Sequence, residues 1–225
     1  MGKSIVVIPA HNEEKTISSV VRDAKKYCDV LVVDDSSSDR TGELASASGA
    51  TVLRNGLNVG YTASLNLGVA EAAKRADNVI IMDADGQHNP AQIPEMISLL
   101  DNGADFVLGV RHRKARLAER LFGLLARWRV GVSDPLCGFR GFSSEVFRKV
   151  GFYDSIGSIG TQFVFAAKKK GFSITEIDVD IRERKGTPRL FGGRAIRSEL
   201  MMLKAFAKLF AYDIFGIRLV NPKWK

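Results

Sequence analysis

The chain of 225 residues is poor in the side chains that hold metals through nitrogen and sulfur. It contains only three histidines and two cysteines, which leaves little scope for a site of that kind. Cys28 and Cys137 stand far apart in a lysine-rich chain, so we expect them to be reduced rather than joined in a disulfide. Any metal chemistry must therefore depend on oxygen ligands.

Two glycine-rich phosphate-binding motifs are missing as well. No G-x-G-x-x-G follows the first predicted strand, and no G-x-x-x-x-G-K-[ST] occurs. The first absence argues against a nucleotide-binding oxidoreductase, and the second argues against a P-loop enzyme. A bound phosphate must be held by other residues.

Long apolar runs are also lacking. The N-terminal run covers only residues 5–10 and no small-residue cleavage site follows it, so we expect no signal peptide. No stretch of about 20 apolar residues occurs, which predicts that no helix spans a membrane. We expect a cytoplasmic protein, or one attached peripherally to the cytoplasmic face of a membrane.

The charge is divided unevenly along the chain. Residues 1–100 hold nine basic and 13 acidic residues, whereas residues 101–225 hold 24 basic and 12 acidic ones. The simpler interpretation is a solvated basic surface. The more specific one is that the second half meets an anionic partner: phosphate, nucleic acid or anionic lipid.

The first 111 residues alternate regularly between short apolar, β-branched runs and segments with helical periodicity. Strands that are apolar on both faces and separated by helices indicate a parallel sheet with helices on each side, an α/β fold. The predicted strands are 4–10, 29–35, 50–55, 78–86 and 104–111, and the predicted helices lie within 13–27, 36–48, 61–76 and 90–103.

Polar residues collect where these strands end. Ligands of parallel sheets bind at the carboxyl ends of the strands, so this edge is the candidate site. Ordinary loop polarity does not predict acids at three such ends. The residues are 9–13 after the first strand, Asp34 and Asp35 after the second, Asp83 and Asp85 after the fourth, and Arg111 after the fifth.

The strongest local signal is the pair Asp83 and Asp85. In an extended strand residues i and i+2 point to one face, so the two carboxylates converge if the strand continues through Ala84. Two such charges repel each other unless a cation lies beside them, and oxygen ligands suit Mg²⁺ or Mn²⁺. Gln87 is the candidate third ligand. His88 ranks below it, because a lone loop histidine is usually solvated, and a plain tight turn is the structural alternative.

Six short motifs in order give the sequence a family resemblance. It resembles the inverting family 2 glycosyltransferases of GT-A fold, and among them the dolichol- or polyprenyl-phosphate mannose or glucose synthases. The motifs are VVIPAHNEE (6–14), VVDDSSSDRTGE (32–43), NVG (58–60) with Ala63 and Asn66, MDADGQHNP (82–90), GVR (109–111) and SDPLCGFRGF (133–142).

The resemblance covers about residues 4–193 and implies a GT-A-type, Rossmann-like, mostly parallel sheet with flanking helices. It divides a glycosyltransferase domain, 1–193, into a nucleotide-sugar-binding half, 1–110, and an acceptor half, 111–193. An amphipathic helical segment, 194–225, follows.

The resemblance also implies a role for each matching residue. Pro9, His11 and Glu13 would hold the nucleoside, Val33 and Asp35 would lie near the base and ribose, and Arg111 would lie near the phosphates. Asp83, Ala84, Asp85 and Gln87 would bind the metal and the diphosphate, with Asp83, Asp85 and Gln87 as the metal ligands. Arg184 and Arg189, which lie in the basic loop 183–190, would bind the nucleotide sugar.

Four departures from the family pattern accompany these matches. His11 stands where tyrosine is frequent, and Cys137 where serine or threonine is common. Gln162 stands where many relatives have an acid, and the loop 183–190 is one residue short.

The implied reaction is inverting transfer of mannose or glucose from GDP-mannose or UDP-glucose to a polyprenyl or dolichyl phosphate, with Mg²⁺ or Mn²⁺. Asp85, Asp134 and Arg184 are its candidate catalytic residues. A hydroxyl acceptor needs a general base, whereas a phosphate monoester with a second pKa of about 6 does not. Asp134 could be that base or could orient a substrate, so a sugar or glycolipid hydroxyl remains the alternative acceptor. A non-catalytic basic module is a more distant alternative.

Two amphipathic segments complete the prediction. Residues 111–131 carry leucines and Trp128 on one helical face with arginines beside it, which suits a membrane interface or a helix that covers the sheet. Arg111 and Arg113 are the candidates for binding an acceptor phosphate. Residues 194–218 suit a membrane surface or a membrane partner subunit. We expect no nucleic-acid partner.

Overall fold

The computed structural model describes residues 2–111, 117–182 and 195–215. Its centre is a sheet whose strands each carry short apolar runs. The strands are β1 (Ser4–Ala10), β2 (Asp29–Asp34), β3 (Thr51–Arg54), β4 (Asn78–Ile81), β5 (Phe106–Arg111), β6 (Arg140–Ser143) and β7 (Ile174–Val179). The seven strands lie in the order β3-β2-β1-β4-β6-β5-β7.

Helices follow the strands along the chain, as the α/β prediction requires. The helices are α1 (Ile17–Lys25), α2 (Thr41–Ala47), α3 (Tyr61–Ala72), α4 (Ile93–Asp101), α5 (Leu117–Val130), α6 (Ser144–Val150), α7 (Thr161–Lys169) and α8 (Ala195–Phe215). A short 3-10 turn over Pro90–Gln92 precedes α4.

Each face of the sheet buries its own apolar cluster. Strand β1 is buried along its whole length, and its side chains alternate between the two faces. Val7 packs in the cluster that includes α3, whereas Ile8 packs in the one that includes α1 and α4. Each fully buried Val or Ile side chain contributes about 1.5–3 kcal/mol relative to an exposed one. This two-sided burial explains why the strands read as continuous apolar runs.

Strand β6 is the only antiparallel strand among those that the structure describes. It pairs with β4 on one side and β5 on the other, with Ile81 of β4 opposite Arg140. Because β6 runs against its neighbours, its first residues lie at the edge where the parallel strands end. The segment from Asp134 to Phe139 therefore enters the sheet at the candidate site.

The prediction that the fourth strand continues to residue 86 is wrong. Strand β4 ends at Ile81, and the following residues form a turn. The Asp85 carboxylate accepts the Gln87 backbone N–H at 3.0 Å, and Gly86 has φ +76°, which is readily adopted by glycine. The turn formed by Asp85 and Gly86 thus ends the strand earlier than the apolar run predicts.

Helix α8 is part of the same core as the sheet. Ala205 and Leu209 are buried in the α3-side cluster, and Phe206 packs edge-to-face on Phe122 of α5 at 4.9 Å. Near its end, Asp213 makes ion pairs of 2.7 Å with Arg129 and Lys169. Among the described helices, none combines the length and apolar character needed to cross a bilayer.

Candidate active site

A cavity of about 210 Å³ lies at the carboxyl ends of β1, β2 and β4. It is the place where the switch-point rule for parallel sheets puts a ligand. Its lining brings together residues from four separate stretches of the chain. They are Pro9, Ala10, His11 and Glu13, then Asp35, then Tyr61 and Ser64, then Asp83, Ala84 and Asp85.

Asp35 fixes one wall of this cavity. Its carboxylate is 4% exposed and accepts the backbone N–H groups of Val59 at 2.9 Å and Gly60 at 2.8 Å. The Asn55 side chain donates to the same carboxylate at 2.8 Å. Gly60 has φ +92°, a conformation suited to glycine, and α3 begins at the next residue. Asp35 therefore sets the position at which α3 starts.

His11 is held by its two ring nitrogens. Nδ1 lies 2.9 Å from the Asp35 backbone carbonyl, and a carbonyl oxygen can only accept. The Asn58 side-chain amide lies 3.2 Å from the same Nδ1, and the Asn12 amide lies 3.3 Å from Nε2. These contacts give the ring a defined orientation on the cavity wall, and its role in binding the nucleoside stays a prediction.

Asp83 is contacted from three sides. The Tyr61 hydroxyl donates to its Oδ1 at 2.9 Å. Its backbone N–H donates to His88 Nδ1 at 3.1 Å, and His88 Nε2 lies 3.8 Å from its Oδ2. A methyl group at Gly138 would lie 2.8 Å from the same Oδ2. Burial and then the Asp83 charge raise the pKa of Tyr61 well above its usual value, so the phenol is a donor at neutral pH.

The expectation that His88 is solvated is wrong. The residue is 6% exposed and stacks on Phe139 with ring centroids 5.1 Å apart. Burial lowers the pKa of His88 below its ordinary value although the charges of Asp83 and Asp85 raise it, so the ring is neutral at neutral pH. A neutral ring accepts at Nδ1 and carries its proton on Nε2, which faces Asp83.

Gln87 lies apart from the cavity lining. Its side-chain amide donates to the Arg182 carbonyl at 3.4 Å, and the Arg182 N–H donates back to the Gln87 carbonyl at 2.8 Å. These bonds connect the turn after β4 to the chain beyond β7. The role of Gln87 as a metal ligand stays a prediction.

The two carboxylates suit a small, oxygen-preferring cation. Among the described residues, no three His, Cys, Asp or Glu side chains are grouped as a complete metal site. Mg²⁺ is commonly held by one or two carboxylates together with phosphate oxygens and water, so Asp83 and Asp85 fit an ion that a diphosphate completes. The close approach of Gly138 to Asp83 leaves no room for a larger side chain there.

Arg111 and Asp134 form a buried ion pair next to this edge. Arg111 Nε lies 2.7 Å from Oδ2 and Nη2 lies 2.9 Å from Oδ1 of Asp134, which is 2% exposed. Burial lowers the pKa of Arg111, but its hydrogen bonds and charge interaction with Asp134 outweigh that effect and raise it. Both carboxylate oxygens of Asp134 are engaged by the guanidinium.

Arg140 organises the loops behind the cavity. It is fully buried and donates to the backbone carbonyls of Cys137 and Gly160, each at 3.0 Å. The loop that contains Gly160 is closed by Asp154, which accepts the Gly160 N–H at 2.9 Å. Gln162 supports the same loop, since its Oε1 accepts the Ser155 N–H at 2.7 Å. Gln162 therefore helps to hold the loop that contains Gly160.

Comparison with known proteins agrees with this arrangement. The family model described as Glycosyl transferase family 2 matches residues 5–151. The chain belongs to glycosyltransferase family 2. An uncharacterised protein of Methanocaldococcus jannaschii is 32% identical over 89% of this chain and 92% of its own length.

Named relatives of this glycosyltransferase include two lipid-phosphate enzymes. Polyprenol monophosphomannose synthase of Mycolicibacterium smegmatis is 28% identical over 88% of this chain and 84% of its own. Dolichyl-phosphate hexose transferase of Haloferax volcanii is 27% identical over 87% and 91%.

A solved structure confirms the predicted GT-A fold. Glucosyl-3-phosphoglycerate synthase of Mycobacterium tuberculosis, crystallised with Mg²⁺ and uridine diphosphate, superposes with a TM-score of 0.74. The superposition covers 92% of this chain and 79% of that one, at 22% sequence identity.

The structure brings seven of the 14 predicted site residues of this glycosyltransferase together in the cavity lining. Val33 is fully buried under α3 in the sheet core, so its side chain does not line the cavity. Its β-branched side chain follows the strand pattern rather than a ligand contact. Arg113, Arg184 and Arg189 lie outside the described residues.

The sequence patterns do not single out Tyr61, and the resemblance assigns no role to Arg140 within the motif at 133–142. Tyr61 follows the NVG motif directly, and its contact with Asp83 spans 22 residues. The one available signal was that a residue just after Gly60 starts a helix at the cavity edge.

Proposed function

We propose that this glycosyltransferase moves mannose or glucose from a GDP- or UDP-sugar to a polyprenyl phosphate, with inversion and with Mg²⁺ or Mn²⁺. The observation that carries the proposal is that Asp83 and Asp85 line the same cavity as Pro9, His11 and Asp35. One cavity thus offers a metal-binding wall and a nucleoside-binding wall.

The donor end follows from the cavity lining. Asp83 and Asp85 would hold a divalent ion, which would neutralise charge on the departing diphosphate. His11, with its ring fixed by the Asp35 carbonyl, would stack against the base. Arg184 and Arg189, which belong to the basic loop, are proposed as further diphosphate contacts.

The acceptor end is supported by the Arg111–Asp134 pair. The pair uses Nε and Nη2 of Arg111, so Nη1 lies outside it and suits an acceptor phosphate. A phosphate monoester is already largely deprotonated at neutral pH and needs no general base. A hydroxyl acceptor would need a base, and the candidate base, Asp134, is already engaged in an ion pair with Arg111. We therefore favour a phosphate acceptor, in agreement with the names of the two lipid-phosphate relatives.

A membrane surface would deliver such an acceptor. Helix α5 buries Phe122, Ala126 and Val130 against the protein, and leaves Leu124 67% and Trp128 75% exposed. On α8, Leu203 and Phe210 are 47% and 38% exposed. Apolar side chains flanked by arginines suit the interface of an anionic bilayer. We propose contact with the lipid surface itself, with a membrane partner subunit as the alternative.

Transfer is tested with purified protein, Mn²⁺ and labelled GDP-mannose or UDP-glucose. A thermal-shift panel of nucleotide sugars with and without Mn²⁺ first selects the donor. We expect labelled lipid from polyprenyl phosphate and none from the corresponding polyprenol, whose hydroxyl lacks the phosphate. Asp85→Asn should abolish the product while Asp29→Asn, a surface change, keeps it. Product from a hydroxyl acceptor alone would favour the alternative reaction, and no product with either donor would contradict the proposal.

Membrane contact is tested by flotation with vesicles that contain anionic phospholipid. We expect the Leu124→Ser, Trp128→Ser variant to lose binding. Tyr27→Ser is the control, because Tyr27 is 40% exposed and lies just before β2, at the edge of the sheet opposite the cavity. Equal binding of all three proteins would overturn the assignment of this surface.

A further inference from the structure

We propose that Tyr61 and His88 are positioning residues that hold the Asp83 carboxylate ready for a divalent cation before any nucleotide sugar binds. The inference deepens the proposed function, since it rests on Asp83 being a metal ligand. It gives Tyr61 and His88 a role that requires no contact with the diphosphate or the sugar.

Tyr61 reaches Asp83 because its own position is fixed. The N–H groups of Val59 and Gly60 donate to the buried Asp35 carboxylate, which anchors the residues just before Tyr61. The Tyr61 ring packs against the α3-side core. Its hydroxyl donates to Asp83 Oδ1 at 2.9 Å. Asp35, which follows β2, thereby helps to fix the position of the Asp83 carboxylate, which follows β4.

His88 restrains Asp83 from the other side. Its Nδ1 accepts the Asp83 backbone N–H at 3.1 Å, so His88 fixes the backbone of the turn at Asp83. Stacking on Phe139 keeps the ring in its plane, and the backbone of His88 pairs with Ile181 in an isolated bridge. His88 Nε2 lies 3.8 Å from Asp83 Oδ2.

Gly138 completes the enclosure of the carboxylate. A methyl group there would lie 2.8 Å from Asp83 Oδ2 and 3.4 Å from His88 Cε1. Its φ lies outside the left-handed region, so the requirement for glycine at this position is one of space. Tyr61, His88 and Gly138 together leave Asp83 few orientations.

Such outer contacts have a measurable effect on metal affinity. Groups that orient metal-binding side chains typically account for about 10- to 100-fold in affinity or activity. A carboxylate that is already oriented loses less conformational entropy when the ion binds. Removal of the Tyr61 hydroxyl should therefore weaken binding even though the hydroxyl itself is not a ligand.

The experiment measures Mn²⁺ binding by electron paramagnetic resonance of the free ion, without sugar donor or acceptor, and again with UDP or GDP. We expect Tyr61→Phe and His88→Gln to raise the Kd for Mn²⁺ by about tenfold. Gly138→Ala should do the same by displacing Asp83. Tyr212→Phe, which removes a hydroxyl from a partly buried tyrosine of α8 packed on the same core, should leave the Kd unchanged.

The outcomes separate this inference from the proposed reaction. Weaker Mn²⁺ binding by the three variants supports the positioning role whether or not polyprenyl phosphate is a substrate. Equal or tighter binding by Tyr61→Phe and His88→Gln would overturn it, as would a wild-type protein that binds no Mn²⁺ in either condition. A folded state for each variant is verified by circular dichroism. The His88→Asn variant, whose side-chain oxygen can accept in place of Nδ1, should recover part of the affinity.

Discussion

Arg111 and Asp134 meet as a two-point ion pair, with the guanidinium Nε and Nη2 on separate carboxylate oxygens at 2.7 and 2.9 Å. The Arg111 backbone N–H adds a third contact to Oδ2 at 3.2 Å. Arg111 ends β5, and Asp134 precedes β6. The pair therefore joins two neighbouring strands at the edge that carries the cavity.

Asp134→Asn should reduce stability and activity together. Removing one partner of a buried ion pair costs about 3 kcal/mol, because the remaining charge stays buried without its counterpart. We expect a lower urea midpoint with an unchanged m-value, and reduced transfer. If Asp134 were also a general base, turnover of the folded variant would fall by several orders of magnitude, in addition to the loss of stability.

Arg111→Lys provides the matching control for that experiment. Lysine keeps the charge but cannot donate to both oxygens in the fork geometry. In a double-mutant cycle, Arg111→Lys and Asp134→Asn should be clearly non-additive in stability. Additive losses would show that the two residues act separately.

Gly68→Ala should destabilise the protein by about 1–3 kcal/mol through overpacking. Its methyl group would lie 2.6 Å from Val7 Cγ1 and 2.7 Å from Val33 Cγ2, both in buried strands. Gly56→Ala is the control, because a methyl group there meets nothing within 4 Å. Equal urea midpoints for the two variants would contradict the close packing of α3 on the sheet.

The two cysteines should differ in their reactivity with iodoacetamide. Burial raises the pKa of each thiol to about 11, so only roughly one thiol in a thousand is ionised at pH 8. Cys137 is fully buried, whereas Cys28 is partly exposed. Mass spectrometry should find slow alkylation of Cys28 in the native protein, and of Cys137 only after unfolding. Rapid native labelling of Cys137 would count against its buried position at the start of β6.

The contribution of Asp213 to the stability of the fold around α8 should depend on pH. Burial raises its pKa, but hydrogen bonds and charge interactions with Lys169 and Arg129 outweigh burial and lower it. A lowered carboxyl pKa stabilises the fold above the unfolded value of about 3.9, and the contribution is lost as the pH falls through the folded value.

The measurement compares wild type with Asp213→Asn in urea unfolding at pH 6 and pH 3. We expect a difference of about 1–2 kcal/mol at pH 6, reduced by the partial exposure of both cations, and a smaller one at pH 3. Asp29→Asn breaks an exposed pair with Lys25 and should change stability by less than about 0.5 kcal/mol. A constant difference across the pH range would contradict the ion-pair explanation.

The sequence predicts the sheet well where the local pattern agrees with the tertiary structure. The five strands up to Arg111 lie within the predicted ranges, although β4 ends five residues early. Four of them carry β-branched residues that are buried on both faces, whereas the edge strand β3 is only half-buried. Strand β6 escapes prediction, since it is four residues long and starts with Arg140, a charged residue that is buried only through carbonyl partners in distant loops.

The sequence predicts those site residues that lie within its recognisable motifs. The acids at the strand ends line the cavity as expected for Asp35, Asp83 and Asp85. The contacts between residues on different strands and helices cannot be predicted from local sequence patterns. Tyr61 and His88 owe their positions to Asp35 and Phe139, which no spacing rule connects with them.

The insertion of β6 between β4 and β5 has a consequence during synthesis of the chain. Strand β5 is complete at Arg111, but both strands that flank it are made later, and β7 ends 68 residues further on at Val179. At about 5–20 residues per second, β5 waits roughly 3–14 seconds for its last neighbour. Until β6 is made, β4 has an open edge and β5 has no partner, and until β7 is made the outer edge of β5 stays unpaired. Unpaired strand edges can pair with other chains, so aggregation of the nascent chain is favoured during this interval.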